Sequence, residues 1–364
     1  MKKNILVTTA LASSLIFLGS NAIAQTKIDG TLALGYKQTK HDLQPSKVND
    51  LRGFGREAQL NVSNSGSLNV GGLKYAAGFA LEFDGKSEKA TDGNISIGNE
   101  NTYIDLIADN TTITFGVDHI QNSDRTSANF VGLNVEDLDN GNTFFLSAVG
   151  ANPKEAIGTG ITQKTPFGSF SALYVPSNGH TGSDDDLDSF DENAQATHAS
   201  LTNKDRSSAY EVGFAGDLGV KGLNIHYFKN KEKASPGSLN KDKSLEGQNY
   251  GVSYNFGQIT LGVDKKKSEG KFTTTTAEVN TETDQIAYGL AFAITPTLTL
   301  GANYAKADTT GIATSVKDEK FKAIAVGYNL GPVVAEAQYG HYQNLKGVER
   351  ADLDVYFARL TTKF

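Results

Sequence analysis

Apolar and polar residues alternate in short segments along most of the chain. Within residues 27–37 the even positions are mostly apolar and the odd positions mostly polar, and residues 352–364 alternate in the same way. In the last segment Phe364 and Tyr356 share the apolar face, whereas Arg359 lies on the polar face. A period of two residues is that of a β-strand with one apolar face. We therefore predict strands at both ends of a strand-rich chain.

Sixteen segments show this pattern or a weaker form of it. They lie at about residues 27–37, 57–62, 73–83, 104–108, 113–117, 157–164, 168–176, 210–214, 223–227, 250–256, 259–263, 286–294, 298–304, 324–330, 333–339 and 352–364. Short and long links alternate strictly between them. The long links are predicted at residues 38–55, 85–99, 121–156, 177–207, 231–246, 267–282, 307–319 and 343–351.

An even strand count, with both ends on the side of the short links, is the arrangement of barrels that cross an outer membrane. We predict an all-β fold, a transmembrane sixteen-stranded antiparallel β-barrel with long external loops and short periplasmic turns. Pairing of the last strand with the first would close it and remove both edges. Sixteen strands leave a water-filled lumen. A soluble propeller or solenoid is less favoured, because its repeats would have a fixed length.

The first residues have the features of a secretory signal. Lys2 and Lys3 precede an apolar stretch at residues 5–18, and Ala22-Ile23-Ala24 fits a small-x-small cleavage site. A membrane anchor is the alternative, but the apolar stretch is short for a span of about 20 residues. We expect residues 1–24 to be a cleaved signal peptide and residues 25–364 to form the barrel.

Composition excludes several classes of function. The 34 Lys and Arg against 41 Asp and Glu give a net charge of −7, which does not favour a nucleic-acid partner. The absence of cysteine excludes disulfides, thiolate zinc sites and thiol nucleophiles. The six histidines are scattered and no G-x-S-x-G motif is present, so we predict neither enzymatic activity nor a cofactor.

An acidic run at residues 184–192 has carboxylates at Asp184, Asp186 and Asp188, a spacing found in calcium loops. The glycine and the carboxylate that such a loop needs further on are Ser189 and Gln195 here. A solvated external loop is therefore favoured, and loose binding of divalent ions together with lipid phosphates stays open. We predict no specific metal site.

Four stretches resemble the general, trimeric porin family of Gram-negative outer membranes, in the branch found in Neisseria and Burkholderia. They are LNVGGLKYAAGFALE at residues 68–82, TTITFGVD at 111–118, RGFG at 52–55 and YFARLTTKF at 356–364. The sequence departs from that branch at Leu68-Asn69, where an acidic pair is usual, and at Val117, where arginine is usual.

The resemblance implies an outer-membrane channel for passive diffusion of ions and small hydrophilic solutes. It also implies a homotrimer embedded in outer-membrane lipid, with Phe364 forming part of the signal read by the barrel-assembly machinery. Two alternatives remain: a substrate-specific channel of the same fold, and a surface adhesin or structural barrel with a plugged lumen.

The resemblance further implies that the third long loop, residues 121–156, folds into the lumen and faces basic residues on the wall. The acidic candidates in that loop are Asp124, Glu136, Asp137 and Asp139. The basic candidates are Arg52, Arg56, Lys74, Lys164 and Arg359. Alternation places Lys74, Lys164 and Arg359 on the inward face, whereas Arg56 shares the parity of the outward Ala58.

Overall fold

The structure is a computed structural model. It describes residues 25–41, 51–84, 96–117, 157–175, 208–233, 244–273, 278–310, 317–345 and 349–364. The expected signal peptide, most of the third loop and the acidic run at 184–192 lie outside the described residues. Within the described residues, no helix is long and apolar enough to cross a membrane.

Sixteen antiparallel strands form one closed barrel in which each strand pairs with its neighbours in sequence, so the predicted fold class is confirmed. The strands are β1 (Gln25–His41), β2 (Leu51–Ser67), β3 (Lys74–Asp84), β4 (Ser96–Ala108), β5 (Thr111–Val117), β6 (Ile157–Thr165), β7 (Gly168–Val175), β8 (Ala209–Gly216), β9 (Leu223–Lys233), β10 (Ser244–Asn255), β11 (Ile259–Thr273), β12 (Glu278–Ala293), β13 (Leu298–Thr310), β14 (Glu319–Asn329), β15 (Val333–Gln343) and β16 (Leu353–Lys363).

The barrel closes between its first and last strands, as the alternation predicts. β1 and β16 pair from Thr31 opposite Lys363 to His41 opposite Leu353. Beyond that ladder, the amide of Gly30 donates to the carbonyl of Phe364 at 2.9 Å, and the amide of Phe364 donates back at 3.1 Å. Closure leaves neither terminal strand with an unpaired edge, which a spanning barrel requires.

The outward face is apolar and ends in aromatic rings. Apolar side chains that no other part of this chain covers include Ile28, Leu34, Ile104, Phe115, Ile161, Leu261, Ile324 and Leu360. We call the ends of the strands that bear the long links the loop end. Six outward tyrosines form three cross-strand pairs, each on the loop-end side of apolar outward residues: Tyr227 with Tyr250, Tyr288 with Tyr304, and Tyr339 with Tyr356. We call this row the tyrosine girdle. An apolar band edged by aromatic residues matches the profile of a bilayer.

Several strands are longer than predicted. β11 runs to Thr273 and β12 starts at Glu278, so most of the predicted link at residues 267–282 is strand. Its outward residues include Lys267 and Glu282, which form an ion pair. Alternation of apolar and polar residues therefore marks the part of a strand that faces lipid, whereas the backbone ladder continues into water.

Candidate pore lining

One group of charged side chains lies on the inward face of β15, β16, β1 and β2. Glu336 is opposite Arg359, and Arg359 is opposite Gly35, which in turn pairs with Gly55. The Nε atom of Arg359 donates to Glu336 Oε2 at 2.7 Å, and the two side chains are 21% and 13% exposed. Lys37 and Glu57 follow on the same face of β1 and β2. We call Lys37, Glu57, Glu336 and Arg359 the Arg359 cluster.

A recess in the wall separates these charges. The residues that line it are Ala33, Gly35, Lys37, Gly55, Arg56, Glu57, Phe357 and Arg359. A Cβ atom built at Gly53 or Gly55 would meet nothing within 4 Å. Among the described residues, the wall therefore borders open space rather than packed protein at Gly53 and Gly55.

A second polar group lies on the inward face of β9, β10 and β11. His226, Gly251 and Asp264 are aligned across the three strands, and His226 Nε2 lies 2.8 Å from Asp264 Oδ2. The same Nε2 hydrogen-bonds Asn249 Oδ1, and the His226 ring stacks on Phe228 with centroids 5.7 Å apart. Both oxygens are acceptors, so Nε2 carries the hydrogen in this arrangement.

The His226 group faces the Arg359 cluster across the lumen. β9 is eight strands from β1 in a ring of sixteen, which is half of the circumference. The side chains of His226 and Asp264 are each 1% exposed. Further carboxylates, Glu211 and Glu319, are buried on the same inward face of β8 and β14. The inward face thus carries acidic and basic groups, beside an apolar cluster that includes Phe321, Tyr342 and Val355.

The predicted basic candidates fall into three classes. Arg359 lies on the inward face at the cluster just described. Lys74 and Lys164 also point inward, but Lys74 is the first residue of β3 and Lys164 precedes the turn at residues 166–167, so both line the short-turn end. Arg52 and Arg56 pair with Gln38 and Leu34, so they share the outward parity of β1 and β2, and Arg56 also borders the recess.

The acidic candidates Asp124, Glu136, Asp137 and Asp139 lie outside the described residues. Lys37 and Glu57 were missed, although alternation puts both on the polar face. His226 and Asp264 were also missed, because only the strand register brings residues so far apart in sequence together. Among the described residues no group of three or more His, Cys, Asp or Glu side chains could hold a metal ion.

The outward face carries a belt of ion pairs beyond the tyrosine girdle. Lys231 pairs with Glu246, and Lys265 lies 3.5 Å from Asp284. Lys267 contacts Glu269 at 2.8 Å and Glu282 at 3.0 Å, and these hydrogen bonds raise the pKa of Lys267 above its ordinary value. Because these pairs are exposed to solvent, they contribute little to stability. These charged side chains indicate the part of the barrel that extends beyond the apolar layer of the membrane.

The solved structures most relevant here share the fold at low sequence identity. The anion-selective porin from Comamonas acidovorans has a TM-score of 0.65 at 13% identity, over 94% of this chain and 100% of that one. A Salmonella typhi OmpF complex with daunomycin gives 0.62 at 13% identity, over 93% and 97%. The trimer form of in-vitro folded OmpT of Vibrio cholerae gives 0.57 at 13% identity, over 94% and 99%.

No curated protein sequence matches the chain. The model of a family described as Gram-negative porin does match, over residues 8–347. That span covers nearly all sixteen strands, whose closed antiparallel ring has a polar lumen and an apolar outer face. The chain therefore belongs to the Gram-negative porin family.

Proposed function

We propose that this outer-membrane porin is a general diffusion channel for ions and small hydrophilic solutes. As a member of its family it passes solutes passively through the outer membrane. The observation that carries the general version is the mixed charge of the lumen: Arg359 is paired with Glu336, and Lys37 lies on the same face as Glu57. Walls that carry both signs orient polar solutes without selecting one chemical group. We assign no catalysis to the His226–Asp264 pair.

Single-channel recording of the reconstituted protein tests this proposal. We expect conductance that rises linearly with salt concentration and is indifferent to individual sugars and amino acids. Saturable block by one solute at low concentration would instead identify a substrate-specific channel. Absence of conductance in correctly folded protein would identify a plugged barrel.

We also propose that residues 121–156 fold into the lumen opposite the Arg359 cluster and narrow it. The carboxylates of Asp124, Glu136, Asp137 and Asp139 would then face Lys37 and Arg359. Opposed charges across a narrow aqueous gap set up a transverse field, which weights cations against anions. Support comes from the open recess at Gly55, which leaves room beside the basic side chains.

Changing Asp137 and Asp139 together to Asn should lower the preference for cations, because two negative charges leave the constriction. The measurement is the reversal potential across a salt gradient. The matched control changes Asp184 and Asp186 to Asn in the acidic run of another long loop, and we expect no shift there. An unchanged reversal potential in the Asp137 and Asp139 variant would remove both residues from the constriction.

We also propose that the protein forms a homotrimer, and Arg56 indicates which part of the outer surface forms the interface between subunits. Arg56 lies on the outward face opposite Leu34, next to Phe54, whose ring is 88% exposed and 5.2 Å from Tyr36. Its Nε atom is buried and has no hydrogen-bond partner in the described part of the chain. An arginine that faces lipid costs about 2–4 kcal/mol near the middle of the membrane. A second subunit over β1 and β2 would cover Phe54 and would supply an acceptor for the terminal nitrogens of the Arg56 guanidinium.

Replacing Arg56 by Leu has opposite expected effects in the two environments. At a subunit interface, the loss of a charge-assisted hydrogen bond should destabilise the trimer by about 1.5–3 kcal/mol. At a lipid-facing site, the same change should stabilise the barrel. The measurement is the temperature at which the oligomer converts to monomer on heating in detergent.

The control for Arg56 is Arg52→Leu, because Arg52 lies on the same face of β2 but beyond Phe54. We expect the control to leave the conversion temperature unchanged. A higher conversion temperature in Arg56→Leu would place β1 and β2 against lipid and contradict the proposed interface.

A further inference from the structure

β14 carries two lysines on its outward face, one level with the tyrosine girdle and one beyond it. Its residues alternate between buried and exposed, with Phe321 and Ala323 turned inward and Ile324, 63% exposed, turned outward. Lys322 and Lys320 are the next two outward positions toward the loop end. Both side chains therefore project from the barrel surface rather than into the channel.

Positively charged or chargeable neighbours surround these lysines. Lys320 is directly opposite Lys306 of β13, and Lys322 is directly opposite His341 of β15. Like charges placed opposite each other on paired strands destabilise the pairing. An anion bound between the strands would offset that repulsion.

The acidic groups nearby already have partners. Asp318 lies 2.7 Å from Lys306, and Asp354 lies 2.9 Å from His341 and accepts a hydrogen bond from Tyr339. Within the described residues, neither Lys320 nor Lys322 has a carboxylate within ion-pair distance. The outward lysines of β11 differ, since Lys265 and Lys267 each contact at least one carboxylate.

The height of the two lysines identifies the kind of anion. Lys322 lies opposite Tyr304 of the girdle, and Lys320 is one outward position further, about 7 Å along the strand. That level is where lipid headgroups meet water, just outside the hydrocarbon layer. Directly toward the membrane from the lysines, Ile324 and Val326 present an apolar surface to acyl chains.

We propose that Lys320 and Lys322, with Lys306 and His341 beside them, form a binding site for the phosphate groups of a phosphorylated lipid in the outer leaflet. A lipid can contact both the basic and the apolar part of this surface. Its phosphates would lie at the lysines and its acyl chains against Ile324 and Val326. A free phosphate ion would make only the contacts with the lysines. The site lies on the outer wall, so it is independent of the channel and of the proposed general diffusion.

Each lysine near an anionic lipid surface contributes about a fivefold gain in affinity, so loss of both should weaken binding about 25-fold. The test titrates the purified oligomer in detergent with lipid A carrying two phosphates, and separately with the same lipid A after both phosphates are removed. A third titration uses inorganic phosphate. Native mass spectrometry counts the bound lipid.

The test variant is Lys320→Gln with Lys322→Gln, and the matched control is Lys265→Gln with Lys267→Gln on β11. A second variant with arginine at positions 320 and 322 keeps the charge. We expect the wild type, the control and the arginine variant to prefer the phosphorylated lipid, and the glutamine variant of β14 to lose most of that preference. Single-channel conductance, expected to be the same in all four proteins, verifies that each barrel is folded.

Three results would overturn the site. Equal binding of the two lipids by the wild type would show that phosphate plays no role. Equal losses of lipid preference in the β14 and β11 variants would show that overall surface charge, and not this site, determines binding. Displacement of the lipid by millimolar inorganic phosphate would indicate a small-anion site in place of a lipid site.

Discussion

Deleting Phe364 is expected to reduce the amount of assembled barrel about tenfold or more, while the channels that do assemble keep their conductance. The residue joins the last strand to the first through two backbone hydrogen bonds with Gly30. Its ring lies over Gly30, where an added Cβ would come within 2.6 Å of it. Two hydrogen bonds at about 1 kcal/mol each, with the contact of the ring, exceed the 1.4 kcal/mol that a tenfold change requires.

Three further variants separate the contributions of Phe364. Phe364→Ala keeps the backbone hydrogen bonds and loses the ring, whereas Phe364→Tyr keeps both. Lys363→Ala is the matched control, since Lys363 lies on the opposite face of the same strand end. We expect assembly to decrease from wild type and Phe364→Tyr, through Phe364→Ala, to the deletion, with the control at the wild-type level.

The measurement is the fraction of heat-modifiable protein, in cells and after refolding into detergent. A defect of equal size in both would arise from barrel closure alone. A much larger defect in cells would support our proposal that the barrel-assembly machinery reads Phe364. Normal assembly of the truncated chain in cells and in detergent would contradict both accounts.

The architecture could be predicted because a lipid environment imposes a strict pattern. Every backbone polar group of a spanning segment needs an internal partner, which leaves closed barrels as the strand-based solution. Alternation in segments such as β14 and β16 then follows from having lipid on one side and water on the other. The position of Phe364 gives the parity of β16 and so predicts that Arg359 lies on its inward face.

Strand ends were predicted less well where both faces are polar. Lys267 and Glu282 are outward, but they lie in water and carry charge, so the end of the apolar pattern was mistaken for the start of a loop. The ladder between β11 and β12 continues because backbone hydrogen bonds do not depend on side-chain polarity. The alternation of apolar and polar residues therefore indicates how much of a strand lies within the membrane, but not where the strand ends.

The pore lining was only partly predictable, for a related reason. Arg52 and Arg56 flank a segment whose inward positions, Gly53 and Gly55, have no side chains, so basic residues in it looked like wall candidates. Ala58 already indicates the outward parity of Arg56, and the outward Phe54 gives Arg52 the same parity. His226 and Asp264 meet only through the register of three strands, and no spacing along the chain indicates that contact.

Replacing Arg359 by Gln should shift the selectivity of the channel toward cations about fourfold. The change removes one positive charge and leaves Glu336, 2.7 Å away in the native protein, facing the lumen. A unit charge about 6 Å from the path of an ion contributes about 0.7 kcal/mol in water, or about 0.4 kcal/mol after screening at 0.1 M salt. The contribution has opposite signs for cations and anions, so their permeability ratio changes by about 0.8 kcal/mol, or about fourfold.

The partner residue provides the matched control. Glu336→Gln should shift the reversal potential in a salt gradient toward anions by a similar amount, and the double variant should return it close to the wild-type value. That return is expected because the two shifts are of similar size and opposite sign, so they cancel when they add. If the reversal potential of Arg359→Gln equals that of the wild type, ions pass the barrel beyond the reach of this pair, and the narrowest part of the channel lies away from the wall formed by β15, β16, β1 and β2.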